Sequence, residues 1–129
     1  MTVSNIASIL VIAEVVEMPC VCYYSRIDYP EGMPSGRGVV FWSCTVPTGM
    51  KLVVKKCGVT RFGADPLPNL KVVIEEQVDT VTRFHEYEGS YNEPNLEFSS
   101  GVFVMFVAMN EEKESVDFGA WVMFDFVPE

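Results

Sequence analysis

Four cysteines, one histidine, a small lysine cluster and a surplus of carboxylates are the residues in this chain that could do chemistry. Cys20 and Cys22 stand two apart, so on a strand they point to one face. Cys44 and Cys57 are isolated. A zinc site draws on C-x2-C pairs, usually twice, and this spacing does not supply them. No secretion signal precedes the cysteines, and all four read as free thiols. His85 is the one histidine. Cupin-type metal sites need several histidines converging with a carboxylate. His85 stands at a strand end beside Glu86 and reads as a rim histidine.

The lysines Lys51, Lys55 and Lys56 lie in "TVPTGMKLVVKKCGVT", residues 45–60. Alternation along that run turns Leu52 and Val54 inward and Lys51 and Lys55 outward. No glycine-rich cradle or helix start lies beside them, so a phosphate site is not expected. The carboxylates Glu75, Glu76, Asp79, Glu86, Glu88, Glu93 and Glu97 could in principle pair for glycoside hydrolysis or gather round calcium. Eighteen acids in a short chain give such pairs by chance, and "EYEGSYNEPNLE" lacks the alternating pattern of a dedicated calcium loop. No nucleophile elbow, zincin or P-loop motif occurs. The sequence therefore predicts a non-enzyme, with no catalytic residue, no cofactor and no metal.

These residues have to be positioned by something, and the chain of 129 residues is long enough for one domain with a real core. Nine basic residues against eighteen acidic ones give a net charge of −9. Counterion release by clustered Lys and Arg drives nucleic-acid binding, so nucleic acid and anionic membranes are poor partners for this chain. The longest apolar run, Ile9 to Val16, contains Glu14 and is too short to span a bilayer. It is also a poor signal peptide, so the chain is expected to fold in a cytosol.

β-Branched and aromatic residues dominate, and turn residues punctuate them at short intervals. Residues 6–17 fit a strand (Ala7, Ile9, Val11, Ala13, Val15 on one face) or a helix with Ile9, Ile12, Ala13 and Val16 in a stripe; the Ile and Val content favours the strand. Strands are predicted at Val21–Tyr24, Val39–Val46, Lys51–Cys57, Val102–Met109 and Val116–Val127, and from Leu70 through Glu75, continuing or turning near Gln77 into Val78–Phe84. In the second of these, Val40, Trp42, Cys44 and Val46 share one face, and Phe41, Ser43 and Thr45 share the other. "DYPEGMPSGRG", residues 28–38, reads as the longest loop. About eight strands and no periodic helix imply an all-β fold: one antiparallel β-sandwich of jelly-roll kind over residues 1–129.

Candidate interaction residues follow from exposure and type. Tyr23, Tyr24, Tyr29, Tyr87 and Tyr91 fall in or near loops, and Met33 lies in the 28–38 loop. Trp42 and Trp121 belong to an apolar surplus that also includes Phe103, Met105, Met109 and Met123. A sandwich has two outer faces that should be polar, so something must cover the second face of strands 102–109 and 121–127. That cover is either the N-terminal segment, through residues such as Ile9 and Val11, or another chain.

"TVPTGMKLVVKKCGVT" and "LEFSSGVFVMFVAMNEEKESVDFGAWVMFDFV" resemble small β-sandwich virion proteins of tailed bacteriophages. The positions carrying the resemblance are Val46, Pro47, Gly49, Phe98, Gly101, Asn110 and Gly119. The resemblance implies a capsid decoration (cement) protein in the virion, bridging capsid subunits or other virion proteins as a homo-oligomer, a trimer being favoured. It makes residues 1–17 and the 28–38 loop arms that add to a neighbour. The alternative is a carbohydrate- or receptor-binding module of a fibre or tail, which predicts solvent-exposed tyrosines or tryptophans lined along one groove or loop cluster.

Overall fold

The computed structural model describes residues 23–61 and 63–129. Runs rich in Val, Ile, Phe and Thr form eight strands: β1 (Tyr23–Met33), β2 (Arg37–Thr45), β3 (Met50–Thr60), β4 (Leu70–Val78), β5 (Val81–Glu88), β6 (Leu96–Phe98), β7 (Phe103–Asn110) and β8 (Val116–Pro128). They build two four-stranded antiparallel sheets, ordered β1-β8-β3-β6 and β2-β7-β4-β5. Neighbours in sequence mostly sit in opposite sheets, the winding of a jelly roll. The all-β antiparallel sandwich expected from the sequence is the observed fold.

The inner faces meet in one core. Leu52, Val54 and Val59 of β3, Val72 and Ile74 of β4, Val104 and Phe106 of β7 and Val122 of β8 are fully buried. Trp42 stacks on Phe106 at 4.7 Å between ring centroids and lies 4.4 Å from Phe124, so it joins the two sheets at their centre. Each large apolar side chain withdrawn from water contributes about 1.5–3 kcal/mol.

Two register breaks overturn parts of the sequence reading. A bulge at Phe41 breaks the β2–β7 register: Val40 pairs with Val107 and Trp42 with Phe106. One extra residue reverses the alternation. Val40 therefore faces outward while Phe41 and Trp42 both turn to the core, rather than Val40 and Trp42 sharing a face. The predicted 28–38 loop is mostly strand. β1 continues to Met33, and only Pro34, Ser35 and Gly36 make the turn. The register break between Tyr29 and Met33 absorbs Pro30 and Gly32, so these breakers bend the strand without ending it. The possible arm at 1–17 lies outside the described residues.

The passage from β5 to β6 crosses between sheets and clips onto β3. Cys57 and Asn92 exchange both backbone hydrogen bonds, at 3.0 and 2.8 Å, and the Val59 N–H donates to the Gly89 carbonyl at 2.9 Å. Beyond its three pairs with β6, the β3 edge is thereby closed at Cys57 and Val59 by chain that belongs to no regular strand.

Candidate interaction surface

Register assigns each residue of the second sheet to a face. The outer face carries Phe103, Met105, Val107 and Met109 along β7. Opposite Val107 stand Val40 on β2 and Val73 on β4. Glu75 lies between Met105 and Phe84 of β5. Val73 and Val107 are buried among these neighbours, Met105 and Met109 are half-buried, Val40 is 37% exposed and Phe84 59% exposed. The result is an apolar strip across the middle of a solvent-facing sheet, rimmed by Lys71, Glu75, Glu86 and Glu88. Lys71 bonds Glu86 at 2.9 Å and Glu111 at 2.8 Å, which raises its pKa further above the ordinary lysine value.

Several titratable groups are held by near neighbours or by burial. His85 Nε2 lies 3.0 Å from Glu76 Oε1, and its ring meets Phe98 edge-on at 5.9 Å. Burial pushes the Cys44 thiol to about 11 and the Cys57 thiol to about 12. Neither is a thiolate at neutral pH, and both are free cysteines. Lys51 is held by Glu97 at 2.9 Å, and Lys55 lies 3.9 Å from Asp125. Among the described residues, no group of three His, Cys, Asp or Glu side chains could hold a metal ion.

The residues singled out from sequence scatter. Ile9 and Val11 lie outside the described residues. Tyr23, Tyr24 and Tyr29 take register positions on β1 opposite Phe124, Met123 and Phe118, along a strand rather than in a loop cluster. Met33 is 1% exposed and belongs to the core, because β1 carries it inward where a loop was expected. Trp42 faces the core, and Trp121 lies half-buried on the outer face of the first sheet, 6.4 Å from Tyr91. Only the apolar surplus at Phe103, Met105 and Met109 falls on the strip. Val40 and Phe84 were missed as surface candidates. The bulge hid Val40, and the one signal for Phe84 was an aromatic on a strand otherwise polar at Thr82, Arg83, His85 and Glu86.

No family model matches the chain, and no curated protein matches it. Among solved structures it is similar to the crystal structure of the Drosophila NLP-core, at 19% identity and a TM-score of 0.44 over 80% of this chain and 96% of that one. That structure is described as giving insight into pentamer formation and histone binding, words that concern that protein.

These findings correct the virion reading. Nothing in them supports a phage or virion protein, so the capsid decoration role, the capsid partners and the virion location fall together. The positions behind the resemblance serve the fold itself. Pro47 and Gly49 form the β2–β3 turn, with the Met50 N–H donating to the Pro47 carbonyl at 3.1 Å. Asn110 ties strand ends, and Gly119 is a buried residue of β8. The carbohydrate- or receptor-binding alternative also fails. These findings support no fibre or tail module.

Proposed function

We propose that this chain is a non-enzymatic interaction module that self-associates through the outer face of the β2-β7-β4-β5 sheet and presents an acidic exterior to a basic protein partner. The strip formed by Val40, Phe103, Met105 and Met109 carries the reading. A solvated antiparallel face is ordinarily polar, and a contiguous apolar patch within a polar rim marks a contact surface. A second copy is the natural cover, because most soluble assemblies are closed symmetric homo-oligomers.

The favoured partner chemistry comes from charge. Eighteen acids against nine bases leave −9 on each chain, and every added subunit multiplies that field. Among the described residues the carboxylates of Glu75, Asp79 and Glu88 have no cationic partner. Light scattering over a range of concentrations tests self-association. The expected result is a stable mass that is a whole multiple of the chain's own. A single-chain mass at every concentration would overturn it. Binding of a lysine-rich protein that weakens as salt rises tests the charge.

A further inference from the structure

Sheet edges in stable proteins are protected by bulges, prolines, lysines or short length. Among the described residues, three of the four sheet edges follow that rule. β1 has its register break and Pro30, β2 its bulge, and β6 is three residues long. β5 is the exception. It runs eight residues, Val81–Glu88, without proline, glycine or lysine, and pairs with β4 in unbroken register from Val81↔Val78 to Glu88↔Lys71. It ends its sheet, so its outer side has no strand beside it among the described residues.

The side chains along that edge are anchors and charges of mostly one sign. On the outer face Phe84 is flanked by Glu75 and Glu86. On the other face Val81, 52% exposed, borders a shallow pocket of about 190 Å³ lined by Glu76, Val78, Asp79, Val81 and Arg83. A strand laid against β5 would alternate its side chains between these two faces. Each face offers an apolar surface next to carboxylates. Arg83 is the one cation of β5, and Glu86 already shares Lys71 with Glu111.

We propose that the outer edge of β5 is a strand-addition site for an extended, lysine- or arginine-rich segment of a partner protein, with its apolar residues resting on Phe84 and Val81. Main-chain pairing supplies the contact and alternate side chains the selectivity. Charge complementarity selects this occupant over a second copy, whose own β5 would double the carboxylates along the seam. The site rests on the reading of the chain as an acidic interaction module, but not on its self-association.

The test uses the full chain and a peptide of the same length as β5 with the repeat Val-Val-Lys-Lys, which puts both residue types on each face of a strand. A second peptide of the same sequence carries N-methylated backbone amides, which keep the charge and abolish strand pairing. Hydrogen exchange and native mass are followed together. The first peptide is expected to slow exchange at the β5 amides about tenfold or more and to leave those of β2 unchanged. The methylated peptide is expected to bind at least about tenfold more weakly. Equal binding of the two peptides, or protection away from β5, would overturn the proposal. So would β5 amides already protected in the free protein in proportion to its concentration, which would make a second copy the occupant. Peptide protection of β5 in a chain that stays monomeric would uphold the edge site and remove self-association. An oligomer with unprotected β5 would do the reverse.

Discussion

The side-chain amide of Asn110 donates to the Met33 carbonyl at 2.7 Å, joining the end of β7 to the end of β1 across the two sheets. The same amide donates to the Glu114 carbonyl at 3.0 Å, and its oxygen accepts from the Glu112 N–H at 2.8 Å. Asn110 is fully buried, so no water replaces these bonds when the side chain is removed. A buried polar group left unmade costs about 1–3 kcal/mol. Asn110→Ala is therefore expected to lower stability by at least about 2 kcal/mol, read as a fall in the urea midpoint. Asn110→Asp keeps only the acceptor and is expected to recover little of the loss. A midpoint unchanged in both variants would show that the clasp contributes nothing.

Gly58 allows the crossover after β5 to lie against β3. A Cβ built there would stand 2.2 Å from the Ser90 carbonyl oxygen and 2.7 Å from its carbon. Both are backbone atoms held by the Cys57–Asn92 and Val59–Gly89 bonds, so the neighbour cannot swing aside. Gly58→Ala is expected to cost about 1–3 kcal/mol, the usual range for overpacking. It should also speed hydrogen exchange at Cys57 and Val59, whose N–H groups the crossover satisfies. Normal protection at those two amides would disprove the account.

Asp79 occupies the first position of the two-residue turn between β4 and β5 with φ of 54°. That conformation costs little for glycine and more for a residue with a Cβ. Asp79→Gly is expected to raise stability by about 0.5–1 kcal/mol in thermal or urea denaturation, an unusual direction for a glycine substitution.

What the sequence disclosed was whatever followed a strict period of two. β4, β7 and β8 keep that period, and the inward placement of Leu70, Val72, Ile74, Val122 and Phe124 was readable from it. The inserted Phe41 leaves no compositional mark, so the outward turn of Val40 was not readable. Pro30 and Gly32 carry the signature of a loop, and only pairing with β8 keeps them in a strand. The functional error has the same root. Pro47, Gly49, Gly101 and Asn110 mark turns and strand ends that a jelly roll needs whatever it binds. The candidate surface was half visible, in the Met105 and Met109 surplus, because one strand's composition reveals an unclaimed apolar face. Which residues of β2 and β5 complete that face depends on register.

Stability should fall in alkali, and the buried thiols set the sign. In the folded chain burial raises Cys44 to about 11 and Cys57 to about 12, from an ordinary 9.0. Above pH 9.0 the unfolded chain gives up these protons first, so it binds fewer than the folded chain and stability declines as pH rises. The contribution is complete below 9.0 and is lost as pH rises towards the folded values. Tyr87, raised by burial, and Lys71, raised by its bonds to Glu111 and Glu86, act in the same direction. Each group held protonated adds a slope of up to about 1.4 kcal/mol per pH unit. Urea midpoints taken from neutral pH upward should show this decline, and Cys57→Ala should make it shallower whatever its effect at neutral pH. An unaltered slope in that variant would remove Cys57 from the explanation.

The apolar strip gives the most direct test of assembly. Met105 lies opposite Glu75 on β4, so a glutamate at 105 would face a like charge and weaken the single chain itself. A lysine there faces Glu75 favourably while placing a charge in the middle of the strip. Met105→Lys combined with Val40→Lys is therefore expected to reduce the native mass to that of one chain. The urea midpoint should stay within about 1 kcal/mol of a single-chain reference, as the strip faces solvent in the monomer. Val53→Lys, on the outer face of the other sheet opposite Asp125, is the matched control and should leave the assembly intact. An assembly that survives the Met105 and Val40 changes but dissolves with the Val53 change would move the interface to the β1-β8-β3-β6 sheet.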